Sequence, residues 1–248
     1  MTAPPGGARQ FVLPLSLPVS SSRADFLEDA SNAEALAWID RPDRWPLGRL
    51  ALFGPQGVGK SHLARAVAAQ RGWRLMAGPT LRGLPEPAAG TVLDDADAVA
   101  EERALLHLIN LCAERSEHLL LIGREPPARW RVALPDLASR LRATTAIGIG
   151  SPGDVLLGAL LAKHFADRQL RVSPEVQAWL LTRLNRDAAT LAEAAARLDR
   201  AALAARVPVS RALARAVLAG WDGFGGAVED DGSETGFAVP SPATPALL

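Results

Sequence analysis

Apolar residues along this chain repeat with two different periods, and the change between them divides it. Arg49–Phe53, Trp73–Ala77, Thr91–Leu93, His118–Ile122 and Ala143–Ile149 are short apolar runs that read as strands. Helical patterns lie between them. Ser31-Asn32-Ala33-Glu34 has the capping-box pattern and starts a helix to about Asp40, ended by Pro42 and Pro46. Ser61–Gln70 is a second helix and Val99–Arg115 a third, in which Leu105, Leu108, Ile109 and Cys112 form a buried stripe at i, i+3, i+4 and i+7. Strands alternating with helices predict an α/β fold: a five-stranded parallel sheet with helices on both faces. After Gly150 the pattern is purely helical. Ser173-Pro174 caps a helix carrying Val176, Leu180 and Leu184, Asp187 caps one carrying Leu191, Ala194, Ala195 and Leu198, and a shorter helix follows Ser210.

These patterns give four segments. Residues 1–24, rich in Pro, Gly and Ser, read as a flexible leader, 25–150 as the α/β domain, and 151–220 as a small helical domain. Residues 221–248 lose periodicity and read as a disordered tail. No internal repeat is visible.

The chain has 248 residues, enough for one sizeable domain plus a small one. Lys plus Arg and Asp plus Glu number 27 each, so no overall basic field favours DNA, and no sequence-specific DNA binding is expected. The single cysteine, Cys112, excludes an internal disulfide and reads as a small core residue. His62, His107, His118 and His164 are scattered, without the spacing of a zinc site. No apolar run reaches the ~18 residues of a membrane span, and Pro14 and Pro18 break the N-terminal apolar stretch, so a cytoplasmic protein without membrane contact is expected. Trp38, Trp73, Trp130 and Trp179 sit in apolar contexts and read as core or domain contacts.

The chemistry concentrates between the first strand and the second helix. Gly54-Pro55-Gln56-Gly57-Val58-Gly59-Lys60-Ser61 matches GxxxxGK[ST] in full, after an apolar strand and before a helix. Glycines let backbone N–H groups turn inward around phosphates, and the helix N-terminus adds unsatisfied donors. Lys60 is placed to reach the β-phosphate of ADP or the β- and γ-phosphates of ATP, the Ser61 hydroxyl to ligate Mg²⁺, and His62 follows at the same helix end. Asp94 ends the strand containing Val92 and Leu93, where a carboxylate supports Mg²⁺. Asp95 stands where many ATPases carry a water-activating glutamate, and its shorter side chain suits slow hydrolysis or none. The alternative for these acids is a polar turn before a helix.

The phosphate-loop motif, Asp94-Asp95 and the helical domain, taken as a lid, resemble the AAA+ ATPases, specifically the DnaA branch. Over about residues 9–218 the chain resembles the Hda family of DnaA-related replication regulators. Gln10-Phe11-Val12-Leu13-Pro14-Leu15 resembles that family's sliding-clamp-binding peptide, with Gln10, Leu13 and Leu15 as the binding residues. An apolar peptide in a leader also suits insertion into a partner's groove. The alternative is that Phe11–Leu17 packs back on its own domain. Phe26-Leu27 with Ser31-Asn32 resembles the segment beside the nucleotide base, and Leu134–Leu141 (LPDLASRL) the segment holding the arginine finger, Arg140. The alternative for Arg140 is a surface ion pair with Asp136.

The resemblance implies a nucleotide-bound regulator that docks on the replicative sliding clamp, the β subunit of DNA polymerase III. It would promote ATP hydrolysis on the initiator DnaA and limit re-initiation. A second copy of the chain is a further candidate partner. Two features depart from the family. The sensor 1 position falls near Gly123 and Arg124, and the lid arginine of sensor 2 is replaced by Ala189, with Arg186 one turn earlier as candidate substitute. With Asp95, these imply weak intrinsic hydrolysis and ADP as a structural and regulatory ligand. The competing functions are a self-contained, helicase-loader-like P-loop ATPase and a clamp-docked scaffold without catalytic effect.

Overall fold

The structure is a computed structural model and describes residues 26–225. Gln10, Leu13 and Leu15, expected to bind the sliding clamp, lie outside the described residues. Five parallel strands form one sheet in the order β2-β3-β4-β1-β5. They are β1 (Arg49–Phe53), β2 (Arg74–Ala77), β3 (Gly90–Asp94), β4 (His118–Gly123) and β5 (Thr145–Gly148). Side chains alternate across the pleat. Leu50, Leu52, Val92, Leu120, Ile122 and Ile147 face one way, onto α1 (Ala33–Ile39) and α2 (Lys60–Arg71). Ala51, Leu93, Leu119 and Leu121 face the other way, onto α3 (Glu102–Glu114) and α4 (Pro135–Arg142). Strands buried on both faces need near-continuous apolar runs, which is why β1 and β4 were legible as such.

Cys112 lies in the α3 stripe, 1% exposed. Trp45 and Trp73 close the sheet's α1–α2 face, their rings edge to face at 5.6 Å, and Trp73 stacks on His118 at 5.6 Å.

α3 starts at Glu102 rather than Val99 because Ala96–Ala98 forms a separate 3-10 turn. The Ser31 capping box does not form. Asn32 is the N-cap of α1 without a side-chain cap bond, and the Ser31 hydroxyl instead donates to Asp29 Oδ1 at 2.5 Å.

Four helices follow: α5 (Asp154–Asp167), α6 (Pro174–Leu181), α7 (Ala188–Ala205) and α8 (Arg211–Leu218). Ser173, Asp187 and Ser210 cap the last three, each accepting from an amide three residues on. Their apolar faces enclose a second core around Leu161, Phe165, Leu180, Leu191, Leu198 and Leu218. Trp221 and Phe224 pack against this core. The helical unit therefore runs past residue 220, and at least residues 221–225 of the expected tail are part of it; 226–248 lie outside the described residues. Among the described residues, no helix is long and apolar enough to cross a membrane.

Candidate functional site: a cavity between the phosphate loop and the helical lid

Parallel strands put all their carboxyl ends on one edge of the sheet, where ligand crevices form in such folds. β1 ends in the 54–59 loop, β3 in Asp94-Asp95, and β4 in Gly123-Arg124. Two glycines make the loop possible. Gly54 has φ 154°, and a Cβ there would come within 2.2 Å of the Ile149 carbonyl oxygen, so only glycine lets the ends of β1 and β5 approach. Gly57 has φ 83°, and a Cβ there would lie 2.6 Å from Asp187 Cβ.

The second contact brings the lid onto the loop. Asp187 is the N-cap of α7, its Oδ1 accepting from Thr190 N at 2.8 Å, and the next residue's amide, Ala188 N, donates to Gly57 O at 3.1 Å. Between these walls lies a cavity of about 780 Å³. Gln56, Gly57, Val58, Gly59, Lys60, Ser61, His62, Asp94, Asp95, Ser31 and Asn32 all line it, so the structure brings the sequence-predicted residues of this group to one place, except Gly54 and Pro55. Those two meet Lys60 through their carbonyls instead: Lys60 Nζ donates to Gly54 O at 2.7 Å and Pro55 O at 2.6 Å. Burial pulls the Lys60 ammonium below the usual lysine range, while Asp97 and Asp94 oppose the shift.

Ser61 Oγ donates to Asp94 Oδ1 at 3.1 Å, and the same oxygen accepts from Asp95 N at 3.1 Å. A hydroxyl beside a carboxylate at the mouth of a phosphate loop is an oxygen donor set suited to a hard divalent cation. Asp95 is exposed, at φ 50° in the left-handed region, a conformation aspartate tolerates better than most residues.

Ser31 and Asn32 act as wall rather than as free ligands. Asn32 is 3% exposed; its Oδ1 accepts from Asp29 N at 3.0 Å and its Nδ2 donates to Leu27 O at 2.9 Å. Ser31 O accepts from Gly150 N at 2.9 Å, fixing the segment to the sheet's edge. Desolvation would raise the Asp29 carboxyl, but hydrogen bonds from Ser31 and Gly153 hold it below its ordinary value. Phe26 stacks on His62 with ring centroids 6.0 Å apart.

Apart from Ala189, sequence reasoning missed the lid's share of the cavity. Leu156, Leu160, Lys163, His164 and Asp167 from α5 line it, with Ala188, Ala189 and Ala192 from α7 and Arg65 from α2. The α5 residues share one helical face by spacing, a signal present in the sequence, but the spacing alone does not say what that face meets. Burial holds His164 below the ordinary histidine range, with Arg168 adding to the shift. Lys163 Nζ and Asp167 Oδ2 pair at 2.8 Å. Arg124 lines the cavity, its amide donating to Asp97 Oδ2 at 2.7 Å. Ala189 lines it as well. Arg186 is not among the lining residues; its guanidinium pairs with Asp154 at 2.5 Å.

Arg140 stands elsewhere. It lies in the last turn of α4, at the opposite end of the sheet from the phosphate loop. The buried Arg49 at the start of β1 feels its charge, whereas Gly54 follows the end of that strand, about 16 Å away at ~3.3 Å per residue. Arg140 Nε is 3.4 Å from Asp136 Oδ1, an ion pair too loose to be a hydrogen bond, and its side chain is 36% exposed. The alternative ion pair thus exists, with Nε itself buried and the rest of the side chain half-exposed; one-turn pairs of this kind are worth only ~0.3–0.5 kcal/mol.

Comparison with known proteins agrees on both halves of the molecule. Residues 157–218 match the family model of the Hda lid domain. The helical lid is thus similar to that of the Hda family. Its fold is that of AAA+ proteins of the DnaA type. Domain III of the replication initiation protein DnaA from Thermotoga maritima superposes with TM-score 0.68 at 15% identity, over 80% of this chain and 95% of that one. A DnaA bound to AMPPCP and single-stranded DNA matches with TM-score 0.60 at 15% identity, over 71% of this chain and 63% of that one, so this chain spans less than two thirds of the longer initiator. The RuvB Holliday junction branch migration motor of Thermotoga maritima, with TM-score 0.60 and 14% identity over 80% of this chain and 71% of that one, shares the architecture.

Proposed function

We propose that this chain is an Hda-type regulator of replication initiation. It binds ADP or ATP between phosphate loop and lid, and acts in trans on the initiator DnaA. The observation that carries this is the Hda match of the lid, joined to a DnaA-like sheet domain. The DnaA relative bound to AMPPCP supports a nucleotide in the cavity, whose glycine loop and flanking lysine suit a polyphosphate. Ser61 and Asp94 would hold Mg²⁺, which would neutralise phosphate charge. Lys60 would leave the Gly54 and Pro55 carbonyls and donate to phosphate oxygens.

Arg140 would work on a neighbour rather than on its own nucleotide. Its distance from the phosphate loop and its exposure support a finger that reaches the γ-phosphate held by DnaA. There a cation stabilises the charge that develops during phosphoryl transfer, an effect worth about 10³–10⁵ in rate in GTPases. Intrinsic hydrolysis is weak in this proposal. Asp95 is the shorter acid, and neither Arg186 nor Ala189 puts a lid arginine into the cavity. The leader peptide with Gln10, Leu13 and Leu15 would tether the chain to the sliding clamp and raise its local concentration near the initiator.

The test is single-turnover hydrolysis of ATP pre-bound to DnaA, with clamp loaded on DNA and this protein added in its ADP form. Acceleration that depends on residues 1–15 supports a clamp-tethered activator. Unchanged DnaA–ATP would overturn it. Steady turnover by the chain alone near ~1 s⁻¹, within the ordinary enzyme range, would instead favour a self-contained ATPase.

A further inference from the structure

The loop between α6 and α7 is held from two sides, and the two holds join regions far apart in the sequence. On one side it meets the phosphate loop: Ala188 N donates to Gly57 O at 3.1 Å, and Asp187 lies where a Cβ on Gly57 would strike it. On the other it is gripped by the turn that follows α8. Asn185 N donates to Gly223 O at 3.1 Å and Asn185 Nδ2 to Asp222 O at 3.2 Å. Gly225 N donates back to Arg183 O at 2.9 Å, and Leu184 and Phe224 form an antiparallel bridge. Side chains anchor the turn to the lid. The Phe224 ring lies 5.7 Å from that of Trp179, and the Arg197 guanidinium sits 4.6 Å over Trp221. Trp179 is itself covered by Arg183 at 4.6 Å.

We infer that residues 221–225 are a positioning strap that holds Asn185–Ala188 against Gly57 and thereby sets the nucleotide affinity of the cavity. This rests on the nucleotide-binding reading above. Ala188, Ala189 and Ala192 form one wall of the cavity, and their place follows from where α7 begins. The loop's polar backbone groups have the strap as partner; without it the Asn185 amide and the Arg183 carbonyl turn to water and the loop samples more conformations. Only molecules with Ala188 on Gly57 present the complete wall, so apparent affinity falls in proportion to their fraction. The strap's hydrogen bonds go to the loop, whereas the lid's central residues, such as Leu161, Leu180, Leu191 and Leu198, are buried among the helices themselves. Loss of the strap therefore loosens the loop before it loosens the helices.

The test uses the full chain with Phe224→Ala, and Asn185→Ala as a milder variant. Affinity for a fluorescent ADP analogue and amide hydrogen exchange are both measured. Phe224→Ala should weaken analogue binding by about fivefold to tenfold and Asn185→Ala by about twofold, as the competent fraction drops. Exchange should quicken at Ala188 while β1, β4 and α5 keep their protection. Wild-type affinity with unaltered exchange at Ala188 would overturn the strap. So would a loss of protection throughout α5 and α7, which would mean that residues 221–225 support the whole lid rather than the loop. If the wild-type chain itself ignores the analogue, nucleotide binding is what has failed, and exchange at Ala188 still decides whether the loop depends on the strap.

Discussion

Gly57 carries two constraints at once, a left-handed backbone and a lid residue against its α-carbon. Gly57→Ala meets both. Residues forced into such conformations are strained by ~1–3 kcal/mol, and here the added methyl also drives Asp187 away. The variant should lower the melting temperature modestly and lose most affinity for ADP, checked by thermal denaturation with and without nucleotide; wild-type affinity would mean that the lid does not close on this loop. Cys112 gives a simpler case. Burial, with Glu117 adding to it, pushes its thiol up to about 12, so at neutral pH almost no thiolate is present. Native protein should be inert to thiol reagents that label it readily in denaturant. Rapid labelling of folded protein would show that α3 does not pack as described. Lys60 shows what a motif can and cannot tell: its presence was legible from spacing alone, but not that it folds back onto Gly54 and Pro55.

At the scale of elements, strands and helices were legible because each satisfies a local period. The cores of β1, β3, β4 and α2 follow from apolar runs and a phosphate-loop boundary. Failures came where non-local partners decide. Asp29, bonded to Ser31 and reached by Gly153 from the start of the lid, outcompetes the capping box that Ser31 and Glu34 suggest. The turn holding Trp221 and Phe224 has no period at all, and its order comes from Trp179, Arg197 and the α6–α7 loop. α5 lends itself to a pH test. Its His164 faces Lys163, Asp167, Arg168 and, across the cavity, His62, and burial lowers its pKa. The folded state therefore resists protonating it while the unfolded state does not. Its contribution to stability is present above the ordinary histidine value near 6.5 and is lost as pH falls below it, through the lowered folded value. His164→Gln should flatten that part of the stability–pH curve, read as melting temperature between pH 7 and pH 5; an unchanged slope would assign the effect to other groups.

At the scale of the molecule, two features sit at opposite ends of one sheet. The carboxyl edge, closed by the lid, forms a cavity suited to a nucleotide. The other end carries Arg140 on α4, beside the buried Arg49 and away from that cavity. This separation was not legible from spacing; it follows from a parallel sheet whose helix before β5 ends at the strands' amino edge. In the proposed function it separates the chain's own nucleotide from the residue that would act on another's. ADP at about 100 times its dissociation constant should then stabilise the fold by ~2.7 kcal/mol without being turned over. The most direct test of division between the two ends is Arg140→Ala, measured in parallel for ADP binding by the chain itself and for single-turnover hydrolysis of ATP on DnaA. A finger acting in trans predicts wild-type ADP affinity with acceleration of DnaA hydrolysis reduced at least about a hundredfold. Acceleration at the wild-type rate in the variant would contradict it.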